Sequence, residues 1–284
     1  MLDKIKQSFG FPLSLSAIKK RLLIGICISA VSVFASASEE SCKQYSDISL
    51  HVITSGGFAA AYTLLKPQFE SETGIELDTS YGSSSGGAFD SIPERLSRGE
   101  EFDVIMLSNK SLHNLMKAGY ALPTDARDLV VSKIGMAVKE GAEHPDISTV
   151  EKFVEVLREA PSIGYSASAS GTYLSTVLWP KMGIWDEIKD KSLRVKSERV
   201  ATLVARDEVE IGFQQISEIL PIEGAEFVAP IPDELQKKTV FSAAITSASE
   251  QQGAARCFLD FITSPEADST IRSTGLIPLY QDFQ

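Results

Sequence analysis

Leu50-His51-Val52-Ile53-Thr54 runs into Ser55-Gly56-Gly57 and then into residues 58–71, where Tyr62, Leu65 and Phe69 recur at helical spacing. A β-branched run, a small-residue turn and an amphipathic helix, in that order, make a strand-to-helix unit. The unit recurs downstream. Residues 75–80 read as a strand, 89–98 as a helix with Phe89, Ile92 and Leu96 on one side, 104–107 as a strand and 112–118 as a short helix. Three such units in succession need crossover connections, which lay the strands in parallel and cover both faces of the sheet with helices.

A second set of elements begins with a strand at 133–138. The capping box Ser148-x-x-Glu151 then announces a helix continued by Val150, Phe153, Val154 and Leu157. Residues 162–165 read as a strand, 171–182 and 200–206 as helices, and 210–213 and 226–229 as short strands. Pro230-Ile231-Pro232 bounds this set, after which 239–246 is a long β run able to cross back to the first. Two helices close the chain. One spans 250–263 with Ala255, Phe258, Leu259 and Ile262 on a stripe, and the other is capped by Ser264 with Pro265 at its first position. If these pack on the first set, two crossovers join two α/β lobes, lobe I at 42–130 plus 239–284 and lobe II at 131–238, with a ligand cleft between them at the carboxyl ends of the strands.

Outward from the fold lies the N-terminus. Lys19, Lys20 and Arg21 precede an apolar run over 22–34 and then Ala35-Ser36-Ala37, the order of charge, apolar stretch and small residues that signal peptidase reads. The run has 13 residues, short of the ~20 that cross a bilayer. Cleavage after residue 37 and release into the periplasm, with no membrane insertion afterwards, is the expectation. A lipoprotein is disfavoured because Ile26 precedes Cys27 where a small residue is required, and Cys42 has no apolar lead-in. Losing residues 1–37 removes five basic residues and one acidic one, leaving 22 Lys+Arg against 37 Asp+Glu and a net charge near −15. Such an acidic chain excludes nucleic acid as a partner class. Two cysteines remain, Cys42 and Cys257, which an oxidising compartment allows to pair; the other reading is two separate thiols, with Cys257 a small residue on its helix flank.

Three turns carry the chemistry: Ser55-Gly56-Gly57, Ser83-Ser84-Ser85-Gly86-Gly87 and Ser168-Ala169-Ser170-Gly171-Thr172. Each falls between a strand and a helix, where backbone N–H groups and hydroxyls point out of the helix start and the macrodipole favours negative charge. Singly, each is an ordinary cap; together they read as an anion cradle. Gln214 and Gln215, after the strand Ile211-Gly212-Phe213, are candidates to orient a ligand's oxygens, with Glu218 close behind. His51, His113 and His144 have no carboxylate or thiol at metal-ligand spacing, and no G-x-S-x-G, phosphate-loop or dinucleotide fingerprint is present. Neither metal nor cofactor is expected.

Val52-Ile53-Thr54-Ser55-Gly56-Gly57, Gly82-Ser83-Ser84-Ser85, Phe102-Asp103-Val104-Ile105 and Ile211-Gly212-Phe213 resemble the molybdate-binding-protein-like group of periplasmic solute-binding proteins, over nearly all of the chain beyond residue 37. That resemblance implies a two-lobed type II (Venus-flytrap) fold with two crossovers and an anion held by hydroxyls and amides. Gly57 and Gln215 stand where molybdate binders have a serine and a tyrosine. Ile92-Pro93-x-Arg95-Leu96-x-Arg98-Gly99-Glu100, Tyr165-Ser166-x-Ser168-Ala169-Ser170-Gly171 and Gly212-Phe213-Gln214-Gln215-x-Ser217-Glu218 are more similar to the subgroup that includes aconitate isomerase. The subgroup implies a small polycarboxylate, aconitate above all, interconverted between cis and trans forms by an allylic proton shift. The other function the fold implies is a non-catalytic receptor that delivers molybdate or a related anion to an ABC permease. A proton shift needs a base, and Glu218, His51, Tyr81 and Tyr165 are all able to reach a cleft on this topology.

Overall fold

The computed structural model describes residues 42–279 apart from Gly86 and Ser197; the leader expected at 1–37 lies outside the described residues. β1 (Ser49–Thr54), α1 (Gly56–Thr73), β2 (Glu76–Tyr81), α2 (Ile92–Ser97), β3 (Val104–Ser108) and α3 (Asn109–Lys117) follow the order read from the sequence. β1 pairs in parallel with both β2 and β3. Its two-residue alternation sends Leu50 and Val52 into the core beneath α1 and Ile53 into the core on the opposite face.

The chain then forms β4 (Arg127–Ser132) and passes through Lys133 directly into β5 (Ile134–Lys139) of another sheet. That sheet is completed by α4 (Val150–Glu159), β6 (Ile163–Ser166), α5 (Ala169–Tyr173), α6 (Trp185–Ile188), β7 (Ser192–Val195), α7 (Val200–Ala205), β8 (Ile211–Gln215), α8 (Ile216–Ile219) and β9 (Ala225–Pro230). A second passage over 231–238 returns the chain to the first sheet as β10 (Thr239–Ile245), followed by α9 (Gln252–Ile262), α10 (Asp268–Ser273) and β11 (Ile277–Pro278). The strand orders are β11-β4-β10-β3-β1-β2 and β7-β6-β8-β5-β9. This is the two-sheet α/β architecture expected. Both sheets are mixed rather than parallel throughout, because β10 runs against β3 and β4, and β5 runs against β8 and β9.

Four apolar clusters cover the four sheet faces. Tyr62, Leu65 and Phe69 of α1 meet Phe258, Leu259 and Ile262 of α9, with the Phe69 and Phe258 ring centroids 5.1 Å apart. Each such ring, fully buried, contributes about 1.5–3 kcal/mol. In the second sheet the Gly212 of Ile211-Gly212-Phe213 serves packing: a Cβ there would lie 2.7 Å from Val204 Cγ2, so only glycine lets α7 settle on β8. The free edge of β2 is covered from α1, where Glu70 accepts from the Leu77 N–H at 2.8 Å and Lys66 donates to its carbonyl.

Local differences from the sequence reading have local causes. The helix expected from Phe89 starts at Ile92, with Ser91 before it and Pro93 in its first turn; Phe89 is 79% exposed and lies under the Arg98 guanidinium, 3.9 Å from its centroid. The cap at the start of α4 is Thr149, whose Oγ1 accepts from Lys152 N at 3.3 Å, in place of Ser148. The helix at 171–182 is longer, running from α5 through a π turn at Leu174–Leu178 into Trp179–Lys181. Ser264 makes no side-chain cap bond and leads into a 3₁₀ turn, Pro265–Ala267, ahead of α10. β4 and β7 escaped the reading: β4 abuts β5 with one residue between, and β7 is an edge strand with an exposed Leu193 and a charged Arg194. Cys42 and Cys257 are both disulfide-bonded.

Candidate functional site

Residues just beyond the carboxyl ends of β1, β2, β6 and β7, joined by Gln214 at the end of β8, line a cleft of about 570 Å³. Strand ends of this kind are where open α/β sheets bind ligands. Gly56 opens α1 at the cleft wall. A Cβ at Gly56 would lie 2.0 Å from Glu218 Oε1, so the missing side chain lets the helix start close on that carboxylate. Ser55, the cap residue, is buried with its hydroxyl unpartnered, and Gly57 faces inward, where a Cβ would lie 2.0 Å from Cζ of the Phe241 ring. Both stand off the lining.

The second serine turn is a loop ahead of α2 and not a helix start. Ser83, whose Oγ donates to the Ser85 carbonyl at 2.8 Å, and Ser85 itself line the cleft, while Ser84 is buried and accepts from Ser108 N at 2.9 Å. At the third turn Ser166 Oγ bridges Ser168 Oγ at 2.9 Å and Ser170 Oγ at 3.1 Å, and accepts from Gly171 N at 3.4 Å. Ser166 and Ser168 line the cleft. Ser170 and Gly171 sit behind them, the latter so close that a Cβ would fall 1.8 Å from the Ser166 carbonyl oxygen. Thr172 donates to the Ala167 carbonyl at 3.3 Å and is outside the lining.

Gln214 reaches the cleft and Gln215 does not: its amide donates to Thr239 Oγ1 at 3.3 Å, at the buried start of β10. Of the four candidate bases, Glu218 and Tyr81 line the cleft. His51 is exposed on β1, its ring 3.7 Å from Asp78, and Tyr165 is buried against Trp179 and Trp185 with centroids at 5.5 and 6.2 Å. His113 bonds the Asn109 carbonyl at 3.0 Å and His144 pairs with Glu226 at 2.7 Å. No group of three or more potential metal ligands exists among the described residues.

Glu218 is the unusual group. Its Oε2 is shut off from solvent without a hydrogen-bond partner. Burial pushes its proton affinity above the ordinary carboxylate value, against the opposing pull of the Arg199 charge, the Gln214 side chain and the Gln215 backbone. Around it the sequence reading missed Arg194, Lys196 and Arg199, which all line the cleft, and Ser166. The cations had a signal: three basic residues within six positions of an otherwise acidic chain. Cations, hydroxyls and a helix start thus share one cleft lining with a carboxyl of raised proton affinity, an arrangement able to hold an anion and exchange a proton with it.

The chain matches the family model of bacterial extracellular solute-binding proteins over residues 50–277. It is 38% identical over 230 residues to an aconitate isomerase from a Pseudomonas species, a match covering 81% of this chain and 88% of that protein. It is 24% identical over 211 residues to the molybdate-binding protein ModA of Rhodobacter capsulatus, covering 74% and 80%. The fold superposes on the periplasmic molybdate-binding protein of Azotobacter vinelandii with a TM-score of 0.67 at 20% identity, over 82% of this chain and all of that one. Among the described residues no helix is long and apolar enough to cross a membrane. Sequence and fold agree, and the chain belongs to the bacterial extracellular solute-binding protein family.

Proposed function

We propose that this protein binds a small polycarboxylate in the cleft and interconverts cis- and trans-aconitate there by an allylic proton shift. The observation that carries the reading is Glu218, a sequestered carboxyl of raised proton affinity set against cationic and hydroxyl donors. A site that only holds an anion gains nothing from a carboxylate facing it, since like charges repel. A carbon acid needs such a base, because a raised pKa brings proton acceptance closer to operating pH.

In this scheme Glu218 takes a proton from the methylene carbon of aconitate. The electron pair delocalises through the central carbon onto the far carboxylate, where Arg194, Lys196, Arg199 and the serine hydroxyls stabilise it. Return of the proton to the formerly vinylic carbon moves the double bond and permits the other geometry, with no net gain or loss of atoms or electrons. Ser83, Ser85, Ser168 and the α1 start at Gly56 hold the remaining carboxylates, and Gln214 steadies the base. We assign residues 42–130 with 239–284 to one ligand-holding lobe and 131–238 to the other. The protein acts in the periplasm after cleavage near Ala37.

The competing reading, a receptor handing molybdate or a related oxyanion to an ABC permease, has the fold shared with molybdate-binding proteins behind it. Incubating purified protein with cis-aconitate and following the proton NMR spectrum decides between them. Appearance of the trans isomer with wild type and its loss with Glu218→Gln supports the isomerase. No conversion at micromolar protein, together with a thermal shift from molybdate or tungstate, sinks it in favour of the receptor. A ligand at 100 times its Kd adds about 2.7 kcal/mol of stability, which such a screen resolves.

A further inference from the structure

A second cavity, of about 430 Å³, lies beside the cleft and shares Ala59, Tyr81 and Arg199 with it. Its character is different. Leu64 is 51% exposed, Tyr81 54% and Leu220 46%, and these three large apolar side chains, open to solvent on separate segments of the chain, converge on this one cavity. Ala59 and Ala60 of α1 contribute only methyl groups to its wall, so the cavity continues past the helix that begins at Gly56 in the cleft. A trench with mostly apolar walls, its lining completed by Pro221, Thr63, Ser273 and Thr274, opens beside a guanidinium and matches a ligand with a carboxylate at one end and a hydrocarbon chain at the other.

We propose that this trench is a subsite for the hydrocarbon portion of alkyl-substituted polycarboxylates, whose carboxylates occupy the cleft beside Arg199. The inference rests on the cleft being a carboxylate site and extends its ligand class from compact acids to amphiphilic ones. Arg199 fixes the headgroup at the junction of the two cavities. The alkyl chain runs past Ala60 between Leu64 and Leu220 and removes their exposed apolar surface from water.

Calorimetric titration of the full chain beyond residue 37 with succinate and with 2-methyl-, 2-butyl- and 2-octylsuccinate tests this, with cis-aconitate binding and turnover measured alongside. Affinity should rise by about two- to fourfold per methylene over the first few carbons. Ala60→Phe, which fills the trench, should abolish the dependence on chain length and leave succinate and cis-aconitate unchanged. Leu64→Ser with Leu220→Ser, at positions about half exposed, should flatten the series in the same way. A series with no dependence on chain length, or one that survives both variants, overturns the subsite. A flat series with intact aconitate turnover removes the subsite alone, whereas a length dependence without turnover supports the subsite and removes the isomerase reading.

Discussion

Replacing Glu218 by glutamine separates the demands of chemistry from those of stability, because the two move in opposite directions. The side chain keeps its size beside Gly56, where Oε1 leaves no room for even one added carbon, but loses its charge and its proton-accepting oxygen. A positioned general base contributes about 10²–10⁴-fold to rate, so conversion of cis-aconitate should fall by at least about a hundredfold. Burial, however, makes the charged form of this carboxyl costlier in the folded state than in the unfolded chain, and Oε2 has no partner to offset that cost. A neutral amide removes that cost, which amounts to about 1.4 kcal/mol for each pK unit by which burial raises the carboxyl, and in a domain of this size each kcal/mol moves Tm by about 2–4 °C. Glu218→Gln should therefore melt a few degrees higher than wild type at neutral pH. The sign follows from linkage: the folded protein holds the Glu218 proton more tightly than the unfolded chain, so wild-type stability falls as pH rises from about 4.3 through the raised value, then levels off. The gap between variant and wild type should open over that window and close below it. Paired melts from pH 4 to 8, with NMR rate measurements, check both halves. Wild-type turnover in the variant, or a variant less stable at every pH, refutes the assignment.

Arg199→Gln removes the charge that pulls Glu218 down, so the acid limb of the pH–rate profile should move to higher pH; an unmoved limb shows that Arg199 does not act on the base. Gly57→Ala drives a methyl into the Phe241 ring and should cost about 1–3 kcal/mol by urea unfolding, with a similar penalty for Gly171→Ala against the Ser166 carbonyl. Asp125 accepts from Arg256 at 2.8 Å, and that bond holds its carboxyl below the ordinary range. Its contribution is present above the unfolded value near 3.9 and is lost as pH falls through the folded one. Asp125→Asn should therefore destabilise at pH 7 and converge on wild type in acid melts.

Much of this molecule is written in short windows of sequence. Leu50 to Thr54 alternates and Tyr62, Leu65 and Phe69 repeat at helical period, so β1 and α1 are determined locally, as are the Ser/Gly turns between strands and helices. The fold class follows, because elements in that order have few ways to bury their apolar faces. Tertiary structure decided the rest. Ser84 and Ser85 are neighbours of the same chemistry, yet only Ser85 lines the cleft while Ser84 holds the backbone of Ser108. Gly56 and Gly57 read alike, but one makes room for a carboxylate and the other for a phenyl ring. Glu218, His51, Tyr81 and Tyr165 were equal candidates until strand order and helix packing brought two of them to the cleft and left the others on an exposed face and in an aromatic core. Periodicity fixes which side of an element a residue occupies. Proximity between distant segments, and the desolvation that raises the proton affinity of Glu218, come into being only when the sheets are assembled and packed.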